Sequence, residues 1–476
     1  MLDNRRDGNG AVQDDHVHHG PNGHGSSQNG GNNTHKDKPV DISVATNPKD
    51  LASVQSLLKQ LNTGIMHLTA SNEINHELRQ DLSTKARDLM LALETPRETS
   101  IKHIWAETGA TGAIAWGVDC GLWKLMARNG DRPQKVADLA SELGVDPVLL
   151  GRLLRHLGAM GYITETGADE YQPNNFTKSL SIDIIGDAYI SLAAEAKDRP
   201  ASSGSAQLKL HEFSRKRGWK NPCNAQDTPV HYAYNTDKDF FTFLQEQGYL
   251  PHFHNHMRGY RQGRLPWMAP GFFPVQERLV RGADTGPDSV LLVDIGGSVG
   301  HDLEEFRRYH PSTPGRLILQ DLPAVIQSVE GLDPSITPME YDFHKEQPVK
   351  GKSSQTRQAF LDTDDNGVGV AGARGYYMHS CLHDWPDDVC ESILARVKEA
   401  MRPGYSKLLI NENVVPTTGA WWESSALDMT MLALLSARER TEADWRELIE
   451  RKAGLRIVKI WSGGRGVESL IEVELP

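Results

Sequence analysis

The stretch LLVDIGGSVGHD, residues 291–302, decides how the chain is read. Val290 to Val293 are apolar and lead to an acid, Asp294. Gly296 and Gly297 follow, and Gly300 comes before GHDLEEFRRYH, a segment of helical character. A strand, a tight glycine turn and a helix N-terminus in this order cradle ligands: glycine accepts left-handed backbone, and the first helical N–H groups point outward. A dinucleotide fingerprint would need glycine where Ile295 stands, so G-x-G-x-x-G fails at one of its three glycines. An acid at 294 followed by Gly296, Gly297 and Gly300 suits a different adenosine ligand.

Outward from this turn, strand and helix signals alternate. VLLVDIGG, RLILQDLP, TPMEYDF, GYYMHSCL and KLLINENVV read as strands. GHDLEEFRRYH, PAVIQSVEG, PDDVCESILARVKEAM and DWRELIERKAG read as helices, and RIVKIWSGG with VESLIEVEL as a closing hairpin. The pattern predicts an α/β fold with a mostly parallel sheet. In such sheets the ligand lies beyond the carboxyl ends of the strands. Asp321, before Leu322, ends the second strand and suits both ribose hydroxyls of an adenosine. Asp342 and Phe343 end the third, where a carboxylate and a ring could hold adenine. The polar linker 345–373 contains DTDDNG, which has the first acids of a calcium loop but Ala373 where the closing Glu belongs, so it is read as a surface loop.

The 476 residues carry 51 basic and 63 acidic side chains, a net charge of −12, which argues against a broad nucleic-acid surface. Cys120, Cys223, Cys381 and Cys390 form no C-x-x-C pair, so neither a zinc ribbon nor a disulfide framework is indicated. No long apolar run predicts a membrane span, and MLDNRRDGNG lacks an apolar core, so a cytoplasmic location is expected. Residues 1–46, rich in Gly, Asn and His, are expected to be a disordered tail. Residues 47–185 are expected to be helical. Leu51, Val54, Leu57, Leu58, Leu61 and Ile65 form one apolar stripe, followed by a second helix over 72–94. These two helices need cover, from a partner subunit or from the rest of the chain. ADLASELGVDPVLLGRLLRHLGAMGYI and ITETGADEYQPN read as helix-turn-helix plus wing. Arg152, Arg155 and His156 make no long basic stripe, so a scaffold is preferred to a DNA reader. Residues 186–285 form a helical, aromatic-rich linker, in which Phe240, Phe241, Met257 and Trp267, with Met431 further on, are candidates to line a pocket for a flat apolar ligand.

The fourth strand is followed by LHDW, residues 382–385. With VDIGGSVG, QDLP, YDF, LHDWPDD, the Glu of KLLINENVVP and ERTEADW, the chain over roughly 50–476 resembles class I S-adenosylmethionine-dependent O-methyltransferases of the plant caffeate/flavonoid and fungal secondary-metabolite type. The resemblance implies a dimerisation domain with a winged-helix core, a Rossmann-like catalytic domain over 286–476, and a homodimer. It implies that His383 is the general base, with Glu412 and Glu439 around it. It places S-adenosylmethionine on Asp294, Gly296, Gly297, Gly300, Asp321, Leu322, Asp342, Phe343, His379 and Asp384. A phenol of pKa ~10 must lose its proton to attack, and a histidine of pKa ~6.5 suits that task. Two positions depart from the family: Ser298 replaces a third glycine, and His379 stands where plant relatives carry Lys. No Asp/Asn metal cluster accompanies the site, so metal-independent transfer is expected, to a phenol or N-hydroxyl of an aromatic or alkaloid natural product. The alternative is a methyltransferase-like enzyme that binds S-adenosylmethionine but catalyses a dehydration or pericyclic step; the presence of His383, Glu412 and Glu439 favours transfer.

Overall fold

Continuously buried strands organise the C-terminal half. Seven strands form one sheet among the described residues: β1 Val290–Ile295, β2 Arg316–Asp321, β3 Ile336–Glu340, β4 Gly375–His379, β5 Lys407–Glu412, β6 Arg456–Ser462 and β7 Ser469–Glu474. Their order is β6-β7-β5-β4-β1-β2-β3. The pairs β1/β2, β1/β4, β2/β3 and β4/β5 are parallel, whereas β7 runs antiparallel to β5 and β6. Every residue of β1 and β5 is buried, as expected for parallel strands covered on both faces. Ile318, Tyr376, Met378, Leu408 and Ile410 face the helix Asp387–Ala400 and Trp445. Their neighbours Leu317, Leu319, Tyr377 and Leu409 face Trp267, Phe273 and Phe306. This period-two split sandwiches the sheet between two apolar layers, a Rossmann-like arrangement. From β1 the chain builds outward to β3 and then returns to β4 on the other side, so a crevice opens at the carboxyl ends of β1 and β4.

This computed structural model describes residues 40–70, 74–193, 203–260, 263–286, 288–350, 372–464 and 468–476. Most of the His-rich tail and the DTDDNG segment lie outside them. The start of the linker packs inward: Gln347 and Val349 are buried, and the side-chain amides of Gln347 and Gln320 exchange two 2.9 Å hydrogen bonds.

The N-terminal part is helical. Asp146 caps the helix Pro147–Ala159 by accepting from the Leu149 N–H, and Pro147 occupies its first turn. The preceding helix, Val136–Leu143, ends at Gly144 with φ +69. The hairpin Thr164–Gly167 and Glu170–Gln172 follows, and Gln134–Lys135 pairs with its second strand. Trp123, Leu150, Leu154 and Tyr171 fill the core beneath. Arg155 pairs with Asp169 of the hairpin turn at 3.2 Å, which spends one of the few basic groups on that helix. The helix Val54–Thr69 buries none of its residues.

Candidate active site

The glycine turn closes the crevice from below. A Cβ on Gly297 would lie 2.5 Å from the Asp294 carboxyl and 2.6 Å from Leu319, so only glycine fits. Gly300, at φ +92, is the N-cap of the helix His301–Tyr309, and left-handed backbone there again favours glycine. Gly296 sits against Cys381 and Phe343. Ser298 also adopts a left-handed conformation, φ 54, and its N–H donates to Asp321 Oδ2 at 2.8 Å. The Leu322 N–H donates to Asp321 Oδ1 at 2.7 Å. The Asp321 carboxylate is therefore fixed at the end of β2. Burial raises its pKa, and the two N–H donors only partly oppose this. Leu322 itself is exposed.

Asp342 and Phe343 follow the end of β3. Asp342 accepts from the His344 N–H, and the Phe343 ring meets Trp385 edge-on, centroids 6.2 Å apart. The turn after β1 and the segments after β2, β3 and β4 thus converge on one rim, with Asp294 buried behind it.

His383 lies on a single helical turn, Leu382–Asp384, just beyond β4, and is 5% exposed. Glu412 ends β5 and is fully buried; its Oε1 accepts from the backbone N–H groups of Cys381, Leu382 and His383 at 3.0, 2.9 and 3.3 Å. Its Oε2 lies 3.6 Å from His383 Nδ1. Glu439 Oε1 is 2.7 Å from the same Nδ1, and Asp428 accepts the Glu439 backbone N–H at 2.9 Å. Asp384 Oδ1 lies 3.4 Å from His383 Nε2. Burial alone would push the His383 pKa down, but the charges of Glu412, Asp384 and Glu439 outweigh it and hold the imidazole well above its ordinary value. Burial pushes Glu412 up to about 7 and Asp384 up to about 6, with the His383 charge opposing both rises.

A ring nitrogen of His383 and one oxygen each from Glu412 and Glu439 lie within 4.8 Å of one another, donor types that a divalent cation can use. The 2.7 Å contact is of hydrogen-bond length, however, and shorter than the ~3.3 Å between ligands around a tetrahedral ion with bonds of ~2.0–2.1 Å. The Glu412 Oε1 already serves three N–H groups. The arrangement suits a proton held between imidazole and carboxylate.

His379 ends β4 and belongs to a second cluster. Its Nδ1 is 2.6 Å from Asp302 Oδ2, which also accepts from the Tyr377 hydroxyl at 2.8 Å. Its Nε2 lies 3.8 Å from Glu468 Oε1. Glu468 further accepts from Tyr260 at 2.9 Å and Arg264 at 3.2 Å. Burial would raise the Glu468 pKa, but the nearby His379 and then the Arg264 charge bring it down to about 2. His379, Asp302, Glu468, Arg264 and His301 border a polar cavity of about 260 Å³. Asp302, Glu468 and Arg264 escaped the sequence reading; Asp302, two residues past Gly300 in a helix first turn, was the one with a local signal.

The pocket candidates separate. Phe240 and Phe241 stack edge-on with Phe253, centroids 5.4–5.8 Å apart. Phe240 belongs to an apolar cluster with Leu434, on the helix Trp422–Leu435 that also carries Met431 and Asp428. Met257 is half-buried on the helix Leu250–Gly259. Trp267 is buried against Phe306 and Tyr377 and forms a wall of the polar cavity.

Comparison with known proteins addresses the family. A family profile described as an O-methyltransferase domain matches residues 287–456. The chain is 32% identical to methyltransferase cfoC of Aspergillus candidus, over 89% of this chain and 98% of that one. It is 33% identical to O-methyltransferase mpaG of Penicillium brevicompactum, over 83% and 93% of the two chains. Among solved structures, LepI in complex with SAM is 27% identical, with a TM-score of 0.73 over 89% of this chain and 100% of that one; another solved chain with the same figures is described as a pericyclic reaction enzyme. OxaC, solved with sinefungin and meleagrin, shares the fold at 24% identity and a TM-score of 0.72, over 89% and 99%. With a glycine turn, an Asp321 rim and a histidine–glutamate pair at one sheet edge, and relatives matched over nearly their whole length, the chain belongs to the S-adenosylmethionine-dependent O-methyltransferases.

Proposed function

We propose that the protein methylates a hydroxyl, phenolic or N-hydroxyl, of an aromatic or alkaloid natural product, with His383 as general base and without a metal. The observation that carries this reading is the 2.7 Å contact between the buried His383 Nδ1 and Glu439 at the sheet's carboxyl edge. S-adenosylmethionine, when bound, supplies an electrophilic methyl group on a sulfonium. The glycine turn, the fixed Asp321 carboxylate and the Asp342–Phe343 rim fit such a ligand, since Gly297 lets the backbone pass where a Cβ would clash. Asp294, Gly296, Gly300, Leu322, His379 and Asp384 complete the proposed cofactor set. Glu439 accepts the proton on Nδ1, which leaves the Nε2 lone pair for the substrate hydroxyl. The raised His383 pKa makes proton transfer from a phenol of pKa ~10 less uphill, and because only the neutral ring has that lone pair, the rate rises with pH as the imidazole deprotonates. Phe240, Phe241, Met257, Trp267 and Met431 are proposed to line the acceptor pocket. A homodimer fits the helix Val54–Thr69, which leaves Leu58, Ile65 and Met66 exposed. Among the described residues no helix is long and apolar enough to cross a membrane, which is compatible with the proposed cytoplasmic location.

The test uses methyl-labelled S-adenosylmethionine with a panel of phenols and N-hydroxyindoles. Label in a product, falling about a thousand-fold in His383→Ala while cofactor affinity holds, is the expected result. Equal rates in the two proteins would remove His383 as base. Tight cofactor binding with no labelled product, and an acceptor converted without gaining mass from a methyl group, would favour the non-methylating reading suggested by the pericyclic neighbour.

A further inference from the structure

The turn that carries His383 is gripped from three sides. Glu412 takes its N–H groups and Glu439 takes the ring, as described above. Its carbonyls are held by Arg440. The Arg440 side chain is 1% exposed, and Nη1 donates to the Leu382 carbonyl at 2.8 Å while Nη2 donates to the Trp385 carbonyl at 2.9 Å. Nε and Nη2 both reach Asp387 Oδ1, at 3.1 and 2.9 Å, and the guanidinium lies 5.2 Å from the centroid of the Trp445 ring. Leu382 precedes His383 and Trp385 follows it by two, so one planar group brackets the histidine along the chain. Arg440 and Thr441 also pair in parallel with Val414 and Val415, just past Glu412. Glu412, Glu439 and Arg440 are thus parts of one braced unit.

We infer that Arg440 is a positioning residue that fixes where His383 presents its Nε2, an inference that rests on His383 being the base. Among the described residues Arg440 makes no hydrogen bond or ion pair with the glycine turn or with the segments that carry Asp321 and Asp342. A lysine keeps the charge but offers one nitrogen, which cannot span two carbonyls and a carboxylate at once. The turn then loosens, the ring withdraws from Glu439, and the near-attack geometry degrades.

The experiment compares the whole protein with Arg440→Lys, Asp387→Asn and His383→Ala. Three quantities are read: cofactor affinity by calorimetry, single-turnover methyl transfer to the acceptor found with the labelled panel, and the His383 titration by NMR of isotope-labelled histidine, assigned by its absence in His383→Ala. The groups that face this ring are Glu412 from β5, Glu439 from the segment beside Arg440, and Asp384 from its own turn. Arg440→Lys is expected to keep cofactor affinity, to slow transfer about 10- to 100-fold, and to bring the His383 titration down toward ~6.5. Asp387→Asn is expected to shift rate and titration the same way by less. A wild-type rate and titration in both variants, with His383→Ala inactive, overturns the positioning role. If Arg440→Lys does not fold, Asp387→Asn decides alone, and wild-type behaviour there overturns it. A fully active His383→Ala overturns the base reading instead, and this inference falls with it.

Discussion

Two histidines four residues apart sit in opposite electrostatic settings. His383 faces Glu412, Glu439 and Asp384, and among the described residues no lysine or arginine lies within ion-pair distance of those three acids. Their charges have only the imidazole to balance them closely, so Glu412 stays near 7 and Asp384 near 6. His379 faces Asp302 and Glu468, but Arg264 joins the group, and Glu468 falls to about 2. Glu412 and Asp384 of the first cluster thus titrate close to neutrality, which suits the proposed base. Glu468 of the second stays ionised across that range. Burial raises the acids of the first cluster, whereas in the second His379 first and then Arg264 outweigh burial at Glu468.

After the losses expected for His383→Ala and Arg440→Lys, the next largest effect tests the first cluster. Glu439→Gln is expected to lower the transfer rate about 10- to 100-fold. It also moves the limb of the pH–rate profile: wild type gains rate as pH rises through a His383 pKa above 6.5, and loss of one negative neighbour brings that limb to lower pH. An unmoved limb would detach Glu439 from the base.

The second cluster should respond in stability instead. Glu468 has a folded pKa below its unfolded value, so its contribution is present above pH ~4.5 and is lost as pH falls toward 2; the depression is worth about 3 kcal/mol. Glu468→Gln is expected to flatten the loss of stability between pH 5 and 2, measured by urea melts, while leaving the limb of the pH–rate profile in place. A displaced limb would mean the two clusters titrate together. The smallest effect on catalysis is expected far from both. Ile65→Glu with Met66→Glu, on the exposed face of Val54–Thr69, should turn a dimer into a monomer by sedimentation with little change in melting temperature. A monomeric wild-type protein would dispose of the dimer.

The fold was legible because its signals are local. The apolar runs of β1, β2, β4 and β5, alternating with helical segments, mark strands covered on both faces, and the glycines of 296–300 mark a turn that side chains would obstruct. His383 and the two glutamates could be named through the LHDW, NENVV and ERTEADW segments, but not their distances. The aromatic candidates show the limit of composition: Phe241 is exposed, whereas Trp267 is buried in the layer beneath the sheet. A hydrophobic residue announces that it will be covered, not by which layer.

By itself the sequence determined the order of strands and helices, the glycine turn and the residue types at the strand ends, because short-range sterics and solvent exclusion act along neighbouring residues. Tertiary structure alone decided the electrical state of the site. His379 meets Asp302 across 77 residues of chain, Tyr260 meets Glu468 across 208, and Arg440 meets the Leu382 carbonyl across 58. Desolvation and Coulomb energy depend on which groups the fold places within a few ångströms, and no local pattern carries that information.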